Sequence, residues 1–139
     1  MRILYVEDNA ADADLTRRTL ARLMPEAVLE MVPTIGEAMR LLDSDATLEL
    51  LLVDLRLPDG SGLQLLAHVR EHDLPLPVVV ITGSGDQVSA VAALNAGADD
   101  YLIKHGDYLA RLPQTLLSAR DPLPSVFNPP EPSSARAVC

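Results

Sequence analysis

One cysteine occurs in this chain, Cys139, and it is the last residue. That excludes a disulfide framework and the small stapled scaffolds built on one. Tryptophan is absent, and the aromatic residues are Tyr5, Tyr101, Tyr108 and Phe127. So few rings offer no platform for stacking bases. Lys and Arg number 11 against 20 Asp and Glu, for a net charge of -9. Nucleic-acid binding needs clustered cations, so no direct nucleic-acid partner is expected. No apolar run is long enough to span a bilayer, so no membrane partner is expected either. Met1-Arg2 leads straight into a strand-like run with no signal peptide, and the expected location is cytoplasmic. The chain has 139 residues, 48% hydrophobic and 22% charged, the composition of one ordinary globular domain. A domain of this size buries about two-thirds of its unfolded surface and needs no covalent staple.

Strand-like and helix-like segments alternate along it. Residues 2–6, 27–32, 50–53, 77–81 and 100–103 read as strands. The run Leu50-Leu51-Leu52-Val53 is apolar throughout, as a strand covered on both faces should be. Residues 9–24 read as a helix capped by Asp8 or Asn9, with Ala13, Thr16, Leu20 and Leu23 on one face. Thr34-Ile35-Gly36-Glu37 is a capping box ahead of a stripe of Ile35, Ala38, Met39 and Leu42. Leu65, Leu66 and Val69 mark a third helix, ending near His72. Asp86 is positioned to cap a fourth, built on Val88, Val91, Ala92 and Asn95 and ended by Gly97. In the last helical stretch Pro113 interrupts the spacing of Leu109, Leu112, Leu116 and Ala119. Proline removes a hydrogen bond and clashes with the preceding turn, so a turn near 107–111, a bend, and a helix starting at Pro113 are predicted. From Asp121 onward prolines fall among Ser, Glu and Asn, which reads as a linker or disordered tail over 121–139 after a domain over 1–120. Five βα units imply an α/β fold: a flavodoxin-like, doubly wound five-stranded parallel sheet, order 2-1-3-4-5, with helices on both faces.

Polar residues follow four of the apolar runs. Glu7 and Asp8 follow the first, Asp54 the third, Thr82 the fourth and Lys104 the fifth. Ligands of open parallel sheets gather at the carboxyl ends of the strands, so these groups should converge on one pocket. Carboxylates 4 Å apart repel by about 4 kcal/mol at an effective dielectric near 20. A divalent cation or an ammonium relieves that repulsion, and Mg2+ favours carboxylate oxygens, water and phosphate. A carboxylate so placed can attack phosphorus and form an acyl phosphate, with cations taking up the charge.

Glu7-Asp8, Asp54 followed by Leu57-Pro58-Asp59-Gly60-Ser61-Gly62, Thr82-Gly83, and Ala96 through Lys104 together resemble the receiver domain of two-component response regulators. The match runs from residue 2 to about residue 120. The resemblance implies that Asp54 is the phosphoacceptor for a histidine kinase. It implies Mg2+ held by Glu7, Asp8, Asp54 and the backbone carbonyl of Arg56, with Lys104 paired to the phosphoryl group. Thr82 would be the switch hydroxyl and Tyr101 the aromatic that turns inward with it. Such a protein is not an enzyme in the usual sense, though it assists its own phosphorylation and dephosphorylation. Its output partner would be a downstream protein or a second copy of itself, met near the fourth and fifth helices.

Three features depart from the family pattern: His105 where proline usually follows the lysine, Pro113 in the last helix, and no output module after residue 120. A cis bond before a non-proline residue costs roughly 3 kcal/mol, so a trans Lys104–His105 bond is expected. His105 also leaves room for an alternative, a receiver-like interaction module that works without phosphorylation. An aspartyl phosphatase usually carries a second Asp two residues after the nucleophile, where this chain has Arg56. His68-Val69-Arg70-Glu71-His72 matches a zinc-protease pattern, but the packing demands on Leu66 and Val69 favour a solvated helix end. Arg56 and Ser84 are expected to border the pocket and tune its access to water.

Overall fold

The computed structural model describes residues 1–83 and 85–121. Ser84, Phe127, Cys139 and nearly all of the proposed tail therefore lie outside the described residues. Five parallel strands form the main sheet: β1 (Arg2–Val6), β2 (Val28–Val32), β3 (Leu50–Asp54), β6 (Val78–Gly83) and β7 (Asp100–Lys104). Between β3 and the third helix, β4 (Arg56–Leu57) and β5 (Gly60–Ser61) form a small antiparallel hairpin. The sheet order is β2-β1-β3-β6-β7, which is the expected 2-1-3-4-5 once the hairpin strands are set aside. The sequence had shown only a turn cluster there, because two-residue strands leave no periodicity to read.

Side-chain alternation explains the layers. Leu4, Val6, Leu51, Val53, Val78 and Val80 point to one face, covered by α2 (Ile35–Ser44), α3 (Gly62–Glu71) and Ala93 of α4 (Gln87–Asn95). Ile3, Tyr5, Leu50, Leu52, Val79 and Ile81 point to the other, covered by α1 (Ala10–Leu23) and α5 (Tyr108–Arg120). Residues 50–53 have no solvent exposure. Each such aliphatic side chain contributes about 1.5–3 kcal/mol by leaving water. Among the described residues no helix is long and apolar enough to cross a membrane.

Local caps fix the helix starts. Asn9, not Asp8, accepts the Asp12 N–H at the head of α1, and Thr34 accepts the Glu37 N–H at the head of α2. Leu23, expected on the buried face of α1, is exposed, and Thr19 takes its place inside. Three further expectations are corrected. Pro113 lies inside one continuous α5, whose buried stripe Tyr108, Leu112 and Leu116 straddles it; packing of that stripe on the sheet offsets the missing N–H. The buried face of α4 is Ala90 and Ala93, while Val88 and Val91 are exposed. That helix is almost uniformly small and apolar, so its sequence carries no contrast that would orient it. Asp86 precedes α4 but makes no side-chain cap, because other donors hold its carboxylate.

Candidate functional site

The carboxyl ends of β1, β3 and β7 bring three predicted residues together. Backbone pairing sets the distances: Val53 lies beside Val6, Asp54 beside Ile81, and Lys104 beside Gly83. The Glu7 N–H donates to the Val32 carbonyl at 3.0 Å, which holds the end of β1 against β2. Lys104 Nζ donates to Glu7 Oε1 and Asp54 Oδ2 at 2.7 Å each, and to Asp12 Oδ2 at 2.9 Å. An ammonium has three donors, and all three are used. No motif in the sequence marks Asp12. An acidic residue in a helix's first turn needs no function to explain it, since it suits the helix dipole, and only the fold shows that it faces the lysine.

The electrostatics are unbalanced: three carboxylates meet one ammonium. Burial pushes the Glu7 carboxyl up to about 7; the Lys104 ammonium opposes the rise and the neighbouring Asp54 adds to it. Burial alone would lower Lys104, but hydrogen bonds to Asp54, Glu7 and Asp12 outweigh it and hold the ammonium above its ordinary range. Tyr5, fully buried in β1, places its hydroxyl 3.3 Å from Glu7 Oε1 and 3.2 Å from Thr16 Oγ1. Burial raises the Tyr5 phenol, which stays a neutral donor.

Asp54 is 5% exposed, and its second oxygen, Oδ1, accepts the Arg56 N–H at 2.8 Å. Gly62 makes room for this backbone. A Cβ there would lie 2.5 Å from the Asp54 carbonyl oxygen, so any side chain would push the acceptor strand aside.

Other expected residues stand apart from the lysine. Asp8 is exposed and pairs with no side chain among the described residues. Thr82 is fully buried, and its hydroxyl donates to Asp86 Oδ2 at 2.8 Å rather than toward Asp54. Tyr101 is half-buried against the core and lines a groove of about 550 Å³ with Gln87, Ile103, His105 and Arg111. No peptide bond among the described residues is cis, so Lys104–His105 is trans. The His105 N–H donates to the Ile103 carbonyl at 2.7 Å, a bond proline could not make.

The two helix histidines have ordinary partners. His68 Nε2 lies 2.9 Å from Asp43 Oδ1, and His72 Nδ1 lies 2.9 Å from the His68 carbonyl. Among the described residues no three Asp, Glu, His or Cys side chains are grouped so as to hold a metal ion. At the acidic cluster the reason is visible: the buried carboxylates are closed onto Lys104. The donor chemistry still suits a hard cation, since hard oxygens exceed the positive charge that meets them.

The family model described as "Response regulator receiver domain" matches residues 3–115. The chain belongs to the response regulator receiver domain family. It is 33% identical over 106 residues to the chemotaxis protein CheY1 of Helicobacter pylori, covering 75% of this chain and 85% of that protein. It is 36% identical over 121 residues to the response regulator protein PilR of Pseudomonas aeruginosa, covering 86% of this chain and 26% of that one. Among solved structures it resembles a CheY-like receiver domain protein from Methanospirillum hungatei, with TM-score 0.69 and 30% identity over 83% of this chain and 92% of that one. Receiver domains are the phosphoacceptors of two-component signalling, and this receiver shares their flavodoxin-like sheet. The family is served by histidine kinases and acts on output partners, and its members bind Mg2+ at an acidic pocket.

Proposed function

We propose that Asp54 accepts a phosphoryl group from the phosphohistidine of a histidine kinase. An Asp54 carboxylate oxygen forms the new bond to phosphorus as the P–N bond to the imidazole breaks. The imidazole leaves with the bonding electron pair and takes up a proton, and Asp54 becomes an acyl phosphate. The observation that carries this reading is the pair of 2.7 Å contacts from Lys104 Nζ to Asp54 Oδ2 and Glu7 Oε1 at the carboxyl edge of a receiver sheet. Lys104 places positive charge beside the acceptor, where the phosphoryl oxygens will lie. Glu7, Asp8, Asp54 and the Arg56 carbonyl are the oxygens proposed to hold Mg2+. When bound, that ion would supply the positive charge that three carboxylates and one lysine lack.

After transfer, the Thr82 hydroxyl would donate to a phosphoryl oxygen and Tyr101 would turn inward. The surface of α4, β7 and α5 would change with them. A modification shifts a two-state protein only by its differential interaction with the two states, and the new bonds to Thr82 and Lys104 supply that difference. The same site would assist loss of the phosphoryl group to water. The proposed receiver spans 1–120, with 121–139 as a linker or tail. The proposed setting is the cytoplasm, with a sensor kinase upstream and a downstream protein or a second copy as the output partner.

Acetyl phosphate with Mg2+ tests the reading. One phosphoryl group is expected on the wild type and none on Asp54→Asn, by intact mass. An unmodified wild type would turn the reading toward the interaction module that works without phosphorylation.

A further inference from the structure

The Thr82 hydroxyl is fully buried and has one proton to give. It gives it to Asp86 Oδ2 at 2.8 Å. A phosphoryl group on Asp54 presents acceptor oxygens only, so Thr82 cannot reach it with a donated bond and keep Asp86. Asp86 is held from three elements. Thr82 comes from β6, Arg56 Nε from β4 at 3.2 Å to the same oxygen, and Ser89 Oγ from α4 at 3.0 Å to Oδ1. The arrangement is not a helix cap, since the Asp86 side chain bonds no backbone N–H of α4. Arg56 joins both sides: its N–H is on Asp54 Oδ1 and its guanidinium is on Asp86. Asp86 and Ser89 also line an open groove of about 350 Å³, shared with Leu55, Leu57 and Leu63, so the carboxylate has space beside it once Thr82 leaves.

We infer that Asp86 is a positioning residue that holds the Thr82 hydroxyl away from Asp54 and so sets how strongly the acceptor site must be loaded before the receiver switches. This rests on Asp54 being the phosphoacceptor. The bond to Asp86 is charge-assisted and buried at the Thr82 end, so it is among the stronger hydrogen bonds a protein makes. The bonds that Arg56 and Ser89 make to Asp86 survive the departure of Thr82. The carboxylate is then left with two donors and the hydroxyl is free.

Beryllofluoride with Mg2+ mimics a phosphoryl group on a carboxylate, and 19F NMR reads its occupancy on the full chain. Asp86→Ala is expected to bind it roughly ten-fold more tightly than the wild type, the scale of one lost charge-assisted bond. Asp86→Asn, which keeps an acceptor without the charge, should fall between them. In a Thr82→Ala background the Asp86→Ala change should alter affinity by less than about two-fold, since a residue acting through Thr82 has nothing left to hold. A structural role for Asp86 would give the same change with or without the Thr82 hydroxyl, and that result overturns the inference. Equal affinity of Asp86→Ala and wild type overturns it too, while leaving the phosphoacceptor reading intact. Should Asp86→Ala fail to fold, equal affinity of Asp86→Asn and wild type has the same force. A wild type that binds no beryllofluoride removes the phosphoacceptor reading and this inference together.

Discussion

Both ends of the sheet carry a cation among oxygens, and the two are built differently. At the amino-terminal end, Arg70 of α3 donates to the Gly97 carbonyl at 3.0 and 2.7 Å, to the Leu76 carbonyl at 2.9 Å and to Asp99 Oδ2 at 3.0 Å. Asp99 in turn accepts the Val78 N–H at 2.7 Å. One cation meets one carboxylate, and the remaining partners are neutral carbonyls of the turns that start β6 and β7. Gly97 fits this clamp because its φ of +109° suits no other residue well, and a Cβ there would meet Arg70 Nε at 3.2 Å. At the carboxyl-terminal end, Lys104 meets three carboxylates and no carbonyl. The first cluster is closed and balanced; the second has spare negative charge. A balanced cluster has little use for a further ion, whereas an unbalanced one is relieved by it. The two clusters differ in charge balance and in burial: the Arg70–Asp99 pair is balanced and partly exposed, whereas Lys104, Glu7 and Asp54 are more deeply buried and carry spare negative charge.

Replacing each cation in turn should separate the two ends. Lys104→Met leaves Glu7, Asp12 and Asp54 facing one another, and a cost of about 3 kcal/mol in urea unfolding at neutral pH is expected. Added Mg2+ should recover part of that loss by mass action. Absence of any Mg2+ effect would break the contrast, since the excess charge would then have no appetite for a cation. Arg70→Ala should cost about 2 kcal/mol by removing hydrogen bonds to partly buried carbonyls. That loss should not respond to Mg2+, and phosphoryl uptake from acetyl phosphate should match the wild type.

A third prediction concerns pH. Glu7 is raised to about 7 in the folded chain, above its value in the unfolded one. The fold therefore favours protonated Glu7. This contribution is fully present below the ordinary carboxylate range and is lost as pH rises through about 7. Chemical denaturation should show stability declining between roughly pH 5 and pH 8, and Glu7→Gln should flatten that decline. An unchanged slope in the variant would contradict the assignment of this pH dependence to Glu7.

Much of this site was legible because the polar residues end the most recognisable strands. Asp54 follows four buried aliphatics, Glu7 follows β1 and Lys104 ends β7, so topology alone sends all three to one edge. The positions that escaped lack such a marker. Asp12 looks like any acid in a helix's first turn. Asp86 has the spacing of a cap, and nothing local says that a threonine four residues earlier will claim it. The orientation of α4 was unreadable because alanine and valine on opposite faces differ too little to choose an inside. At Pro113 the local rule predicts a break, and tertiary packing overrides it. Asp8 is the sharpest contrast. Its motif position implies a metal ligand, yet it stands exposed while Asp12 takes a place beside the lysine.

The residue that takes up phosphorus is the most direct test of the site. Borohydride converts an acyl phosphate of aspartate to homoserine, so reduction after acetyl phosphate treatment, followed by peptide mass mapping, reads the acceptor directly. Homoserine at position 54 and at no other acidic residue is the predicted result. Homoserine at Asp8 or Asp12 with residue 54 unchanged would contradict it.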